Sequence, residues 1–192
     1  MTDEPTISGP WLRLRRRVAY ENPWITVWHD DVTRPDGQPG VYGVVHFANV
    51  AVGVVALDDA GRILLVGQHR YTLGEPSWEI PEGGASLDED PLDGARRELR
   101  EETGVEAASW TQLARLHLSN SISDEAALLF LATDLTAGDA SPDGTEILTV
   151  TWQPLAEALE MTLDGRITDA LSVVGIQRLA LMRLVTSDAT AG

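Results

Sequence analysis

The sequence predicts a mixed α+β protein, in which a small antiparallel sheet precedes a larger domain with a mixed sheet between helices. Three observations carry this prediction: short β-rich runs separated by turn residues, near-continuous apolar strands from about Val50, and clear helical spacing after Pro91. With 192 residues and 43% hydrophobic side chains, the chain can bury a sizeable core. We therefore expect one full domain and a small accessory one.

The first part of the chain is predicted to form a three-stranded antiparallel sheet. Residues 1–10 have no regular pattern and are expected to be a disordered tail. Between Trp11 and Phe47, three β-rich runs are separated by the breakers ENP and RPDGQPG. Residues 11–47 are therefore predicted to be a separate β-rich domain.

The larger domain is predicted to span residues 48–186, with a disordered tail at residues 187–192. Its first strands, AVGVVAL and RILLVGQHRY, flank Asp58–Gly61, a good hairpin connection. Uninterrupted apolar runs suit strands covered on both faces, so helices are expected on both sides of the sheet. Later strands are expected near LARLHL, AALLFLATDL and ILTVTW, and helices near residues 154–162 and 169–184.

The clearest helix is predicted from Pro91 to about Thr103. Asp90 is a suitable N-cap, proline is favoured at the first helical position, and Gly104 is a suitable C-terminal stop. Apolar residues at helical spacing define the face expected to pack in the core: Leu92, Ala95 and Leu99.

The charge balance and the absence of cysteine limit the possible chemistry. The 30 acidic and 14 basic side chains give a formal charge of -16, whose field repels nucleic acid and anionic membranes. A phosphate ester substrate would therefore need cations to mediate its binding. Zero cysteines exclude disulfides, thiolate metal sites and a cysteine nucleophile. No secretory signal or membrane-spanning run is recognisable, so a cytoplasmic location is expected.

Three glutamates, Glu98, Glu101 and Glu102, are predicted to lie on one flank of this helix. The helix alone is also explained by a solvated acidic face that neighbouring arginines neutralise. However, these carboxylates repel one another in the C-terminal turns, where the helix dipole disfavours negative charge. The preceding WEIPEGG supplies a glycine loop whose backbone can approach an ion or a phosphate. Oxygen ligands of this kind favour Mg2+.

The spacing of the whole segment resembles the Nudix box. Gly83 is followed after five residues by Glu89, and after seven more by the run RELREETGV. The positions that carry the motif are Gly83, Glu89, Arg97, Glu98, Leu99, Glu101, Glu102, Gly104 and Val105. The resemblance implies an α/β/α sandwich and a hydrolase that cleaves nucleoside diphosphates linked to a further group.

The same resemblance implies roles for the residues of the box. Glu98 and Glu102 would be the principal Mg2+ ligands, Glu101 a further ligand or hydrogen-bond partner, and the carbonyl of Glu82 a backbone ligand. Arg97 would orient the carboxylates through charge-assisted hydrogen bonds. Two or three Mg2+ ions, or Mn2+ ions, would activate the water that attacks phosphorus.

Outside the box, the chain resembles the ADP-ribose pyrophosphatase branch. The shared features are the N-terminal β-rich segment, the strand end Gln68–Tyr71, the WEIPEG run and the entry Gly165–Ala170 to the last helix. This resemblance implies a homodimer through the N-terminal sheet, with substrate sites near the subunit interface. Substrate contacts are expected from Arg70, Gly83, Gly84 and Trp24, and Trp28 and Trp78 are further candidates for stacking a base.

Two features of the site stay open at this stage. The branch brings an additional acid to the metals from a loop, for which Glu146 is the first candidate, followed by Asp143 and Glu125. Each of these is also explained as a solvated loop acid. The branch usually carries a proline beyond the box, whereas the corresponding segment here reads LSNSISDE. This departure bears on the substrate more than on the reaction.

The sequence therefore predicts Mg2+-dependent hydrolysis of a pyrophosphate bond, with ADP-ribose cleaved to AMP and ribose 5-phosphate as the leading hypothesis. GDP-mannose or another nucleoside diphosphate sugar, a dinucleotide and flavin adenine dinucleotide remain alternatives. A non-catalytic nucleotide-sugar sensor is a more distant alternative, because all the box glutamates are present. A structural dimerisation module with an accidental acidic helix would show no metal dependence.

Overall fold

The computed structural model describes residues 4–140 and 147–190. The chain divides into two compact units, one formed by residues 1–50 and 117–126 and the other by residues 51–116 and 127–192. The mixture of helices with parallel and antiparallel strands confirms the predicted fold class. Among the described residues, no helix is long and apolar enough to cross a membrane.

The first unit is built on an antiparallel sheet with the strand order β1-β2-β3-β4. Its strands are β1 (Thr6–Ser8), β2 (Trp11–Glu21), β3 (Ile25–Thr33) and β4 (Pro39–Phe47). The predicted breakers form the turns: the side chain of Asn22 accepts hydrogen bonds from the backbone of Trp24 and Ile25, and that of Asp36 accepts one from Gln38. Side chains that bond their own backbone favour such turns.

Strand β1 corrects the prediction of a disordered tail over residues 1–10. Thr6 pairs with Arg13 and Ser8 with Trp11, after a turn in which Gly9 has a φ of 56°. Glycine adopts this left-handed conformation without steric cost, so the chain can reverse tightly here. The tail prediction missed this pairing because the three-residue strand has no hydrophobic pattern of its own and depends on the edge of β2.

The segment between Leu118 and Glu125 also belongs to the first unit, where it lies along β4. The Val45 N–H donates to the Ile122 carbonyl at 2.8 Å. The carboxylate of Asp124 accepts from the Phe47 N–H at 3.1 Å and lies 2.6 Å from Nδ1 of His46. The predicted domain boundary at residue 47 did not anticipate this association, because these contacts join residues more than 70 positions apart.

The strands of the second unit form two sheets, with the orders β8-β5-β10-β9 and β11-β6-β7 within the described ranges. Strand β10 is parallel to β5, whereas β11 and β7 are antiparallel to β6. The strands are β5 (Asn49–Ala56), β6 (Arg62–Arg70), β7 (Glu75–Glu79), β8 (Glu82–Ser86), β9 (Val105–His117), β10 (Ala126–Ala137) and β11 (Thr149–Pro154). The helices are α1 (Pro91–Thr103), α2 (Leu155–Leu163) and α3 (Ala170–Thr190), and α3 extends into the predicted C-terminal tail of residues 187–192.

Strands β5 and β6 do not form the predicted hairpin. The turn is present, since the Gly61 N–H donates to the Asp58 carbonyl at 3.0 Å and the Asp58 N–H to the Arg62 carbonyl at 2.9 Å. Beyond a single bridge between Leu57 and Ile63, however, the two strands enter different sheets. Turn chemistry is local, whereas strand pairing is decided by the burial of both strands in the core.

Helix α1 confirms the predicted bounds and both predicted caps. The side chain of Asp90 accepts from the Leu92 N–H, and Gly104 at the C-terminal end is left-handed with a φ of 72°. Ala95 and Leu99 are fully buried and belong to a core cluster that includes Val54. The apolar face of α1 therefore holds the helix against the β8-β5-β10-β9 sheet, while the acidic flank remains available for chemistry.

Replacing Gly104 with alanine should destabilise the second unit. A Cβ atom there would lie 2.6 Å from the backbone nitrogen of Ala140, and the φ of 72° is unfavourable for alanine. We expect Gly104→Ala to lower the free energy of unfolding by about 2–4 kcal/mol, since backbone atoms cannot move aside. Gly165→Ala is the matched control: its φ is 85° but its Cβ atom would meet no neighbour within 4 Å, so about 1 kcal/mol is expected. Equal losses in urea denaturation would contradict the steric explanation.

Candidate functional site

The three glutamates of α1 differ in their exposure. Glu102 is 3% exposed, whereas the side chains of Glu98 and Glu101 are 15% and 37% exposed. Oε2 of Glu102 accepts a hydrogen bond from the Glu82 N–H at 3.1 Å. A solvated acidic face would leave all three carboxylates in water, so the structure contradicts that interpretation for Glu98 and Glu102.

Arg97 connects the helix to the predicted glycine loop, whose Gly83 and Gly84 the structure places in strand β8. Its Nη1 donates to Glu98 Oε1 at 2.8 Å and to Glu101 Oε2 at 3.2 Å, and its Nη2 donates to the Gly84 carbonyl at 2.8 Å. Burial by itself would lower the pKa of Arg97, but the carboxylates of Glu98 and Glu101 raise it above the usual arginine value. The guanidinium therefore stays charged and holds two carboxylates and one carbonyl in a set arrangement.

Gly83 lets the loop backbone lie directly against Glu98. A Cβ atom at this position would come within 2.2 Å of Glu98 Cδ and 2.4 Å of its Oε1. Burial raises the pKa of Glu98, although its ion pair and hydrogen bond with Arg97 oppose the shift. Arg97 therefore compensates this buried carboxylate only partly, and a further positive charge would stabilise its ionised form.

The remaining box positions are structural. Leu99 and Val105 pack in the core, and Gly104 ends the helix. Glu89 Oε2 accepts from the Ser86 N–H at 3.4 Å and lies 3.6 Å from Nη2 of Arg97. The motif thus combines core packing, a helix stop and a charged network.

A second set of carboxylates lies at the end of β7. Within the described residues, Glu79, Glu82 and Asp169 form a group in which one carboxylate oxygen from each residue lies within 4.8 Å of the other two. Arg70 Nη2 is 2.5 Å from Glu79 Oε2 and 2.7 Å from Glu82 Oε1. Burial raises the pKa of Glu82 well above its usual range, and the charges of Asp169 and Glu79 add to this shift.

These residues line an open cavity of about 450 Å³. Ser172 anchors its floor, because its buried hydroxyl accepts from the Ile80 N–H at 2.9 Å while its own N–H donates to Asp169 Oδ2 at 2.8 Å. The first bond joins the start of α3 to the residue that follows β7, and the second caps α3 locally and fixes the Asp169 carboxylate. The cavity is therefore shaped by two elements far apart in sequence.

The sequence prediction missed Glu79, Asp169 and the side chain of Glu82 as members of a site. Both the WEIPEGG run and the GRITDA run were recognised as parts of the resemblance, but nothing in the sequence places them side by side. The predicted substrate contact Arg70 lies in this group, with its guanidinium bonded to Glu79 and Glu82.

The three candidate stacking residues are in different environments. The side chain of Trp24 is exposed at the turn before β3, with 67% of its surface accessible. Trp28 is already covered, since the Arg16 guanidinium lies 3.8 Å from its ring centroid and the His46 ring stacks on it at 4.6 Å. Trp78 packs against Gly67 of β6. Of the three, Trp24 alone presents a largely free ring.

Of the three candidates for the additional acid, Glu125 alone lies within the described residues. Glu146 and Asp143 lie outside the described residues. Glu125 belongs to the first unit and is partly buried, and this burial raises the pKa of its carboxyl group.

Two protein families match the chain over adjacent segments. Residues 48–171 match the family described as the NUDIX domain. Residues 11–45 match the family described as the nucleoside diphosphate sugar hydrolase N-terminal domain. The first match lies within the segment predicted as the larger domain, residues 48–186, and the second within the segment predicted as the N-terminal domain, residues 11–47.

Several characterised proteins are similar along most of their length. An ADP-ribose pyrophosphatase of Mycobacterium tuberculosis is 38% identical over 77% of this chain and 72% of its own. One from Bacillus subtilis is 33% identical over 82% of this chain and 85% of its own. A methanol dehydrogenase activator of Bacillus methanolicus is 34% identical over 79% of this chain and 83% of its own.

A solved structure described as an ADP compounds hydrolase has the same fold. Its TM-score is 0.80 at 22% identity, and the superposition covers 93% of this chain and 94% of that one.

Proposed function

The chain belongs to the Nudix family as a pyrophosphohydrolase, and we propose that it hydrolyses the pyrophosphate bond of a nucleoside diphosphate sugar with the help of divalent cations. The narrower proposal is that ADP-ribose is cleaved to AMP and ribose 5-phosphate. It is supported by the two relatives named ADP-ribose pyrophosphatase and by the N-terminal family match.

The arrangement of Arg97, Glu98 and Gly83 is the observation that carries the proposal. The carboxylate of Glu98, largely buried, is held by an arginine on one side and lies against glycine backbone on the other. Burial disfavours the ionised form of Glu98, and a carboxylate with a pKa raised in this way is typical of a functional site.

The donor atoms fit a hard divalent cation. The carboxylates of Glu98 and Glu102, with Glu101 and the Glu82 carbonyl, are all oxygen donors of the kind that Mg2+ selects. Glu98 would gain from an added positive charge, because its burial is only partly offset by Arg97. We propose that these four residues hold two or three Mg2+ or Mn2+ ions. When bound, the ions neutralise the pyrophosphate and increase the acidity of a bound water.

The residues of the chain itself position the reacting groups. Arg97 orients the carboxylates of Glu98 and Glu101, and the loop at Gly83 and Gly84 brings backbone close to the phosphates. The water oxygen forms a bond to one phosphorus as a bond from phosphorus to the bridging oxygen breaks, and each half leaves as a phosphate monoester. No covalent enzyme intermediate is needed. We propose Glu146 as the additional acid, and Arg70 and Trp24 as substrate contacts.

A substrate panel at fixed Mg2+ tests the proposal. Initial rates and products should be measured for ADP-ribose, GDP-mannose, a dinucleoside diphosphate and flavin adenine dinucleotide, each with and without EDTA. We expect the highest kcat/KM for ADP-ribose, with AMP and ribose 5-phosphate as products and no turnover in EDTA. Comparable rates on many substrates would contradict the narrower proposal, and turnover that is unaffected by EDTA would contradict the metal dependence.

We further propose a homodimer formed through the N-terminal sheet. Exposed apolar patches commonly mark the sites where proteins bind one another. The first unit exposes several large apolar side chains: Ile7, Val18, Tyr20, Trp24 and Val41. The sheet also ends in β4, and the edge strand of a sheet is a common site of pairing with another chain.

A charged side chain on this edge should weaken the dimer. Val41 is 60% exposed on β4, so Val41→Lys should leave the subunit folded while placing a charge in the proposed interface. We expect the dimer dissociation constant to rise by about tenfold or more, equivalent to ~1.4 kcal/mol. Val150→Lys is the matched control, because Val150 is 41% exposed on β11, the edge strand of another sheet. Sedimentation showing a wild-type monomer at micromolar concentration, or equal effects of both variants, would contradict the proposed interface.

A further inference from the structure

The carboxylates of Glu79, Glu82 and Asp169, here called the second acidic cluster, have no role in the reaction proposed above. We propose that this cluster binds a divalent cation of its own, separate from the ions assigned to the glutamates of α1. The inference rests on the geometry of the cluster and does not depend on the proposed substrate.

The charges of the second acidic cluster are only partly balanced. Arg70 Nε and Nη2 occupy both oxygens of Glu79, and Nη2 also reaches Oε1 of Glu82. If all three carboxylates are ionised, the one guanidinium leaves two negative charges at a site where Glu79 is 2% exposed. A single divalent cation would balance this charge.

One oxygen of the cluster lacks a hydrogen-bond donor unless Glu82 and Asp169 share a proton. Glu82 Oε2 is fully buried and accepts no hydrogen bond from any described residue. A buried carboxylate oxygen in this state loses its hydration without compensation. Oδ2 of Asp169 accepts from the Ser172 N–H, and one carboxylate oxygen from each of the three residues lies within 4.8 Å of the other two. Oxygens that share one cation at bond lengths of about 2.1–2.5 Å lie within about 5 Å of each other, so the spacing suits a common ion.

The surroundings favour a cation over a proton shared between Glu82 and Asp169. A shared proton would remove one negative charge and leave the other in place. The adjoining cavity of about 450 Å³ provides a path from solvent and space for bound water, and it is lined by hydroxyl groups of Thr72, Ser77 and Thr168. Mg2+ and Mn2+ are commonly held by one or two carboxylates while keeping several waters. Arg70, bonded to two of the carboxylates, would orient them from outside the coordination sphere.

Glu82 connects the second acidic cluster to the glutamates of α1. Its side chain belongs to the second acidic cluster, whereas its N–H donates to Glu102 of α1. A cation held by the Glu82 carboxylate would therefore restrict the movement of β8 at Glu82, next to Gly83 and Gly84. The bound ion would act as a positioning element for the loop.

Mn2+ binding to the intact protein tests the proposal. Free Mn2+ is measured by electron paramagnetic resonance during titration of the wild type, Asp169→Asn, Glu98→Gln and Asp59→Asn. We expect Asp169→Asn to bind one ion per chain fewer than the wild type, because a ligand of the second acidic cluster is lost. Asparagine is an equally good helix cap, so α3 should keep its start. Asp59→Asn, an exposed turn residue outside the cluster, should bind as the wild type does.

The variants distinguish cation binding at the second acidic cluster from cation binding at the glutamates of α1. If Glu98→Gln loses ions but Asp169→Asn binds as the wild type does, the second acidic cluster holds no cation and the proposal is overturned. If Asp169→Asn loses one ion while Glu98→Gln loses none, this site stands although the proposed box metals do not. Should Asp169→Asn fail to fold by circular dichroism, Glu82→Gln replaces it with the same expected loss of one ion, and unchanged binding in that variant overturns the proposal.

Discussion

Replacing Glu98 with glutamine should reduce kcat/KM by about 10²–10³-fold or more, because one electrostatic contact at the reacting groups is lost. Glutamine keeps the size of the side chain and can still accept a hydrogen bond from Arg97, so the loss would come from the missing charge. The rate should be measured on the best substrate of the panel at saturating Mg2+.

The fold should tolerate this change. Burial raises the pKa of Glu98, so its ionised form is disfavoured in the folded state and the neutral glutamine removes that penalty. The raised pKa also means that the ionised carboxylate destabilises the metal-free protein as pH rises through the unfolded and then the folded pKa. We therefore expect the melting temperature in EDTA at neutral pH to be unchanged or higher in Glu98→Gln.

A matched variant tests whether the loss of activity is specific to the box or follows from removing any negative charge. Glu106→Gln removes one negative charge at an exposed position just beyond the box and should leave kcat/KM unchanged. Wild-type activity in Glu98→Gln would show that the assignment of Glu98 as a principal metal ligand is wrong.

Replacing Gly83 with alanine should impair catalysis far more than stability. The added Cβ atom would lie 2.2 Å from Glu98 Cδ, so the carboxylate must move. Because it is the far end of a flexible side chain, the displacement should cost the fold only about 1 kcal/mol. A displacement of about 1 Å at a catalytic group can reduce the rate by about 10²-fold, and we expect kcat/KM to fall by that factor.

Gly43→Ala is the control for glycine substitution in a strand. A Cβ atom at Gly43 would meet no neighbour within 4 Å, so both kcat/KM and the melting temperature should stay close to wild-type values. Two outcomes would argue against a role of Gly83 in positioning Glu98: full activity of Gly83→Ala, or an activity loss matched by general unfolding.

Local features of the fold were predictable from the sequence. The bounds and both caps of α1 follow from Asp90, Pro91 and Gly104, because capping involves residues within one turn of the helix. The turns at Asn22 and Asp58 follow from side chains that bond nearby backbone. Pairing was harder to predict: the attachment of β1, the separation of β5 from β6 and the association of residues 118–125 with β4 depend on contacts between distant segments.

In the candidate site, too, some features follow from the sequence and others depend on tertiary packing. Regular spacing along one helix places Glu98, Glu101 and Glu102 on one flank, and the motif that contains them indicates the reaction class. Spacing does not reveal that Glu102 is buried, that Arg97 reaches the Gly84 carbonyl, or that Gly83 lies against Glu98. These facts depend on how the loop before α1 packs on the helix.

The sequence by itself determined the fold class, the helix that carries the box and the family of hydrolases, since each depends on short-range periodicity, capping or a motif of defined spacing. The tertiary structure alone decided that Arg70, Glu79, Glu82 and Asp169 meet around one cavity. Asp169 lies 87 residues beyond Glu82 in the chain, and Ser172 at the start of α3 links the two segments because its hydroxyl accepts from the Ile80 N–H while its own N–H donates to Asp169. Contacts across such distances are set by packing of the whole unit, because no local preference of the chain encodes them.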